Sequence, residues 1–211
     1  MADYMRDEDE QAELLKEWWQ KNGTAAIITV VLAVAALIGW REWQGHQGEQ
    51  SSEASKQYQV MVEALTAQQV DEAAVNKQAE ALKDDFPGSA YAGYASLAQA
   101  RLAVQAGEYD KAASLLQDVA DNGATDALTY TARLRLVRVL LQQQAYDKAA
   151  AELDHSFPAA FNGMALELRG DLAKARADQP AATEAYTQAL ETLQDNGEKD
   201  RVQMKVDDLK S

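Results

Sequence analysis

The sequence predicts an all-α protein, with a single N-terminal transmembrane helix followed by a solenoid of helical hairpins. Three observations predict it. Thr24–Trp40 is a run of seventeen residues without a charge. The string YDKAA stands at Tyr109–Ala113 and again at Tyr146–Ala150, thirty-seven residues apart. Apolar residues recur at helical spacing, as in Leu134, Val137, Leu140 and Leu141, while strand-like alternation is nearly absent.

The chain opens with an acidic tail, residues 1–22, whose seven acids and three bases give it a charge of −4. The apolar run follows, and residues 23–43 are expected to form a transmembrane signal anchor. Seventeen helical residues span about 26 Å, slightly less than a hydrocarbon core of about 30 Å. Trp18 and Trp19 precede the run, and Trp40 and Trp43 close it. Paired Trp at both ends fits the headgroup level, where an amphipathic ring is most stable. Eight Ile, Val or Leu residues in the run contribute about −2 to −5 kcal/mol to insertion. A helix packed on the core of a small soluble domain would carry a polar face; none exists here, and charges stand at both ends of the run. A cleaved leader needs a short basic start and a small-residue cleavage site. Here the start is long and acidic, and Trp40, Arg41 and Trp43 follow the run. Arg6, Lys16 and Lys21 lie before the span, with only Arg41 after it until Lys56. That asymmetry predicts a cytoplasmic N-terminus and an exported C-terminal part. Ala33 and Ala36 offer a small-residue helix contact of a kind common in Ala-rich spans.

Residues 44–54 are polar and contain Gly and Ser, and Gly45–Ser55 reads as a short hinge or a frayed helix start. Residues 55–211 should hold the folded domain. A degenerate helical pair is expected over Ser55–Phe86, ended by Pro87, with Ser89 capping the next helix. Further breaks fall at Asp121–Asp126 and Ser156–Gly163. Around YDKAA the repeat extends backwards, since Arg101 and Gln105 match Arg138 and Gln142 at the same offset. A looser third copy starts at Leu166. In it Gly170, Ala182, Tyr186 and Ala189 fall where the tetratricopeptide pattern has small, small, aromatic and small residues. Small residues on one helix admit the bulky side chain of its antiparallel partner, and no such pair buries its apolar face alone, so pairs stack. From Asp195 a charged capping helix should turn Val202, Val206 and Leu209 inward.

The chain carries 34 acidic and 20 basic residues, a net charge of −14. An acidic surface repels phosphate backbones, so nucleic acid is excluded as a partner. With no cysteine, stability must come from packing rather than disulfides. His46 and His155 are the only imidazoles, and neither has a ligand partner at helical spacing, so no metal site is expected. Asp84–Asp85 and Asp207–Asp208 are adjacent in sequence and point apart on a helix, so they read as solvated surface. No Gly-rich phosphate loop follows a strand. The reading is a protein that is not an enzyme and has no cofactor.

Binding remains. The first helix of each pair lines the concave face of such a solenoid. Tyr94, Arg101, Arg135, Arg138 and Arg169 are the candidates to reach it. An arginine cluster in an acidic domain could hold a carboxylate or the carbonyls of an extended peptide; the alternative is intramolecular pairing with nearby Asp and Glu.

The acidic tail, Trp18–Trp19, Ala35–Gln47 (AALIGWREWQGHQ), Tyr94–Leu102 (YASLAQARL), Leu134–Val139 (LRLVRV) and Leu168–Asp171 (LRGD) together resemble the ancillary SecYEG translocon subunit family (the YfgM type). The resemblance runs over nearly the whole chain in order, and the juxtamembrane segment is its most specific part. It implies a single-pass bacterial inner-membrane protein with a periplasmic tetratricopeptide-like domain. It further implies association with the SecYEG translocon and with a membrane-anchored peptidyl-prolyl-isomerase-like chaperone, in aid of nascent secreted chains. It carries over no catalytic residue. Asp178–Gln179–Pro180 stands where such repeats commonly have a Gly-containing turn, so the third turn is expected to differ. Two other roles fit the same layout: signalling through the acidic tail to a cytosolic regulator, and a passive envelope scaffold that binds no clients.

Overall fold

A computed structural model describes residues 2–209. Met1, Lys210 and Ser211, the ends of the expected tail and repeat domain, lie outside the described residues. The described residues form nine helices and no strand: α1 (Ala2–Thr66), α2 (Glu72–Asp85), α3 (Ala90–Gln105), α4 (Tyr109–Asn122), α5 (Asp126–Gln142), α6 (Tyr146–Leu153), α7 (Ala159–Ala175), α8 (Gln179–Thr192) and α9 (Asn196–Asp208). They divide into two compact units, residues 1–52 and 53–211. The hinge or frayed start expected over Gly45–Ser55 is helical instead. The Gln50 side chain pairs with His46 at 3.2 Å within that stretch, and no Pro interrupts it.

The first unit is the long N-terminal stretch of α1. Its apolar side chains have no protein partner: Ile27, Ile28, Val30, Leu32, Leu37 and Ile38 are all more than half exposed. A helix with no buried face gains nothing from water, so this surface calls for another apolar solvent.

The second unit is a stack of antiparallel pairs. The end of α1 shares a buried cluster with α2 and α3, where Ala54 and Met61 join Val75, Ala79, Leu82, Ala95 and Leu102. Pairs α3–α4, α5–α6 and α7–α8 follow, with α9 closing the stack on α8. Capping side chains start several helices: Asp71 accepts from the Ala74 N–H (3.0 Å), Ser89 from Ala92 (3.1 Å), Thr125 from Leu128 (3.3 Å) and Asp195 from Glu198 (2.9 Å). Val202 and Val206 are buried and Leu209 packs beside them, the inward face expected of the last helix.

Three hairpins turn in the same way. Gly107, Gln144 and Ala177 all have positive φ, at 75°, 58° and 60°. The following residue's N–H reaches back to the carbonyl five positions earlier: Glu108 to Ala103 (2.8 Å), Ala145 to Leu140 (2.8 Å) and Asp178 to Ala173 (2.9 Å). This is the Schellman closure of a helix C-terminus, usually made with Gly. The third turn therefore does not differ in backbone, contrary to the expectation from Asp178–Gln179–Pro180. Ala177 adopts the left-handed conformation at a cost, and Asp178 then caps α8 through the Ala181 N–H at 3.1 Å. These shared turns fix which residues are equivalent from repeat to repeat.

Small residues sit where bulky ones enter. Ala112, Ala149 and Ala182 are equivalent and wholly buried. Tyr186 is also wholly buried, and a Cβ on Gly170 would stand 2.3 Å from its ring. The third-copy pattern of Gly170, Ala182, Tyr186 and Ala189 is thus a packing pattern.

Candidate functional site

Helices α3 and α5 are the first members of successive pairs and lie against each other. Between them and α4 is a cavity of about 500 Å³. Its floor is apolar, made by Leu97, Ala100, Leu116 and Val139; Arg101, Arg135 and Arg138 rim it. A second cavity of about 340 Å³ shares Leu97, Arg101 and Arg135, and reaches Tyr58, Tyr94 and Thr131. The two make one groove. Among the described residues, no Asp or Glu lines either cavity.

Four of the five expected residues therefore come together. Tyr94 is 43% exposed, and its ring lies 5.8 Å from that of Tyr58, which in turn lies 5.6 Å from Tyr91. Burial raises the Tyr58 phenol above its ordinary pKa, with the neighbouring Tyr94 and Tyr91 adding to it. Arg135 and Arg138 share a face of α5, and Arg101 faces them from α3. Burial lowers the Arg135 pKa, and the charges of Arg138 and Arg101 lower it further. An arginine so placed stays protonated. Among the described residues, none makes a hydrogen bond or ion pair with Arg101, Arg135 or Arg138. The pairing with nearby acids that was the alternative reading does not occur at these three.

Arg169 does not join them. Its guanidinium donates to the Leu153 carbonyl at 2.7 Å, satisfying a carbonyl at the C-terminal end of α6. The other arginines of this unit are also satisfied. Arg133 binds Glu152 (2.7 Å) and the Ala120 carbonyl (3.0 Å). Arg176 binds Asp147 (2.7 Å) and Arg201 binds Glu167 (2.9 and 2.7 Å). The unpartnered arginines of this unit are thus confined to one place.

Sequence reasoning missed the apolar floor and Tyr58. Gln105 and Gln142 both line the larger cavity, and their match at the repeat offset was the signal available. Among the described residues, no group of three or more His, Cys, Asp or Glu could hold a metal ion.

In the first unit, Trp18 and Trp19 lie 6.5 Å apart and Trp40 and Trp43 lie 5.2 Å apart, all four exposed. Trp19 and Trp40 are separated by twenty-one residues, or about 32 Å of helix. That matches a hydrocarbon core of about 30 Å, so α1 fits a membrane location.

The tetratricopeptide repeat-like domain family matches residues 16–211. Proteins named ancillary SecYEG translocon subunit match almost end to end. The one from Haemophilus influenzae is 31% identical over 90% of this chain and 91% of its own length. Those from Neisseria gonorrhoeae and Escherichia coli are 30% and 31% identical, over 97% and 96% of this chain and 98% and 97% of their own. No solved structure matches.

Proposed function

The chain belongs to the ancillary SecYEG translocon subunit family, with a tetratricopeptide repeat-like domain, and from that footing we propose that it is a membrane-anchored interaction module. It associates with a SecYEG translocon and with a membrane-anchored peptidyl-prolyl-isomerase-like chaperone, and it assists folding or trafficking of secreted proteins. Its N-terminus is cytoplasmic and its repeat domain periplasmic, as the Lys and Arg bias about the span favours.

The observation that carries the interaction role is the groove of Tyr94, Arg101, Arg135 and Arg138. It holds exposed cations without partners over an apolar floor, a surface that is complete only with a ligand. The Trp-bounded span supports the anchoring role. Anchoring matters because a tethered module meets its partner at an effective concentration set by the tether, so a weak groove suffices. In this reading the repeat domain acts by docking partners rather than by catalysis.

Purification of the full chain in mild detergent, with identification of what co-elutes, tests the proposal. Translocon subunits and a periplasmic isomerase-like chaperone should be recovered. Recovery of the chain alone under conditions that keep other translocon complexes intact would sink it. Photocrosslinkers at Tyr94 and Arg138 then separate two modes: capture of emerging chains supports a chaperone role, and capture of one fixed partner supports a docking role.

A further inference from the structure

The third repeat shows what the first repeat lacks. Counting from the shared turns, the first helices carry Arg101, Arg138 and Asp171 at one equivalent position, and Lys205 of α9 stands against the last of them. Asp171 pairs with Lys205 at 2.7 Å. Arg101 and Arg138 hold that position in the two preceding repeats, and both are cations. The second helices carry Leu116, Leu153 and Tyr186 at another equivalent position. Tyr186 fills its site, donates its hydroxyl to Asp171 at 2.7 Å and lies under the Lys205 ammonium, 5.7 Å from the ring centroid. In the first repeat a leucine stands there, beside the larger cavity.

The first repeat is therefore short of two groups that the third repeat supplies from its own chain, a carboxylate and an aromatic ring. From this we propose that the cavity between α3, α4 and α5 binds an acidic segment of a partner protein, with a carboxylate on Arg101 and Arg138 and an adjacent aromatic side chain above Leu116. The proposal rests on the reading of this groove as the docking site and names the chemistry of its ligand. Charge complementarity favours such a segment. The three guanidiniums repel one another, no acid among the described residues pairs with them, and guanidinium forks hold carboxylates by paired hydrogen bonds. The apolar floor excludes a purely polar acid as the full ligand, because burying it against Leu97, Leu116 and Val139 would strip water from polar groups without return. Arg135 borders both cavities, so a second carboxylate along the segment has a partner toward Tyr94.

The test uses the full chain in detergent and a fluorescein-labelled peptide of tandem Asp-Phe-Asp-Gly units, read by anisotropy. The acidic peptide should bind, and replacing its Asp by Asn or its Phe by Ala should weaken binding about tenfold or more. Arg101→Gln and Arg138→Gln should each weaken it about tenfold, and added salt should do the same in a graded way. Leu116→Tyr should abolish it by placing a ring where the ligand's ring goes. Far-ultraviolet circular dichroism checks that these variants remain folded, and the two surface Gln variants keep the test decisive if Leu116→Tyr does not fold. Equal affinity for the Asn peptide, unchanged binding by both Gln variants, or binding only to phosphatidylglycerol vesicles would each overturn the proposal. A photocrosslinker at Tyr94 separates this failure from failure of the groove reading. Partner capture at Tyr94 that is indifferent to Arg101→Gln and Arg138→Gln leaves the groove standing and overturns the acidic ligand; capture only through the opposite surface overturns both.

Discussion

Gly170→Ala should destabilise the repeat domain although alanine is the better helix former. In an exposed helix the change is worth about 1 kcal/mol in favour of alanine. Here a Cβ at this position would lie 2.3 Å from Tyr186 Cε1 and 2.4 Å from Cδ1. Ordinary contact begins near about 3.5 Å, so the ring must retreat by about 1 Å. It has little freedom to do so. Tyr186 is wholly buried, and its hydroxyl is tied to Asp171. Overpacking of this kind costs about 1–3 kcal/mol, and displacing the Asp171 hydrogen bond adds about 1 kcal/mol. Against the propensity gain, the net loss is about 1–3 kcal/mol. For a unit of this size that lowers the thermal midpoint by about 3–9 °C.

A partner substitution isolates the cause. The first repeat carries Ala100 and Leu116 at the positions of Gly170 and Tyr186. The double variant Gly170→Ala with Tyr186→Leu reproduces that pair, so it should be more stable than the sum of the two single changes by at least about 1 kcal/mol. Urea or thermal denaturation of the four proteins in mild detergent, followed by circular dichroism, measures the coupling. Gly170→Ala as stable as the parent, or strictly additive single changes, would refute the packing argument.

Three further outcomes follow from the same structure. Ala177→Gly and Gln144→Gly should each raise stability by up to about 1 kcal/mol, since they relieve a left-handed backbone, while Gly107→Ala should lower it by about 1 kcal/mol; its added Cβ meets no atom within 4 Å, so a clash cannot be the reason, and equal midpoints would contradict the turn analysis. Glu167 is 2% exposed and held by Arg201 and Lys205; burial pushes its carboxyl up, but their hydrogen bonds outweigh it and hold it at about 2. Because the folded value lies below the usual 4.5, the contribution is full above that pH and fades as pH falls toward 2, on the order of 2–3 kcal/mol. The pH dependence of denaturation should therefore flatten over that window in Glu167→Gln. Finally, a cysteine placed at exposed Gln68 should react with a membrane-impermeant thiol label in intact spheroplasts, and protection there until lysis would reverse the proposed topology.

Much of the fold was written in local signals. The uncharged run, the Trp pairs and the recurrence of YDKAA are short-range features, and they placed the apolar helix and the stacked pairs. Ser89, which precedes a helix after a Pro-Gly break, announced its cap. The turn at Ala177 was misjudged because a Schellman closure is enforced by helix packing on both sides, which overrides the preference for Gly. The site was half legible. Tyr94, Arg101, Arg135 and Arg138 could be put on first helices by periodicity. Whether an arginine is spent inside the molecule depends on carbonyls and carboxylates distant in sequence, as Arg169 shows by its commitment to Leu153 sixteen residues away.

One equivalent position thus serves two ends. Where it carries Asp171, it pairs with Lys205 of α9; together with Glu167 and Tyr186 this pair binds α9 and seals the stack against water at its C-terminal end. A terminal repeat needs that seal, because its apolar face has no following pair. Where the same position carries Arg101 and Arg138, adjacent repeats repel and the cavity between them stays open. Stability at that stage comes from the layer beneath, where Ala100, Leu116, Ala132, Val137 and Leu140 are all buried. The exposed arginines keep part of their hydration, so leaving them unpaired costs far less than burying them would. The charge pattern therefore divides the domain into a closed end that holds the fold and an open middle that is free to bind.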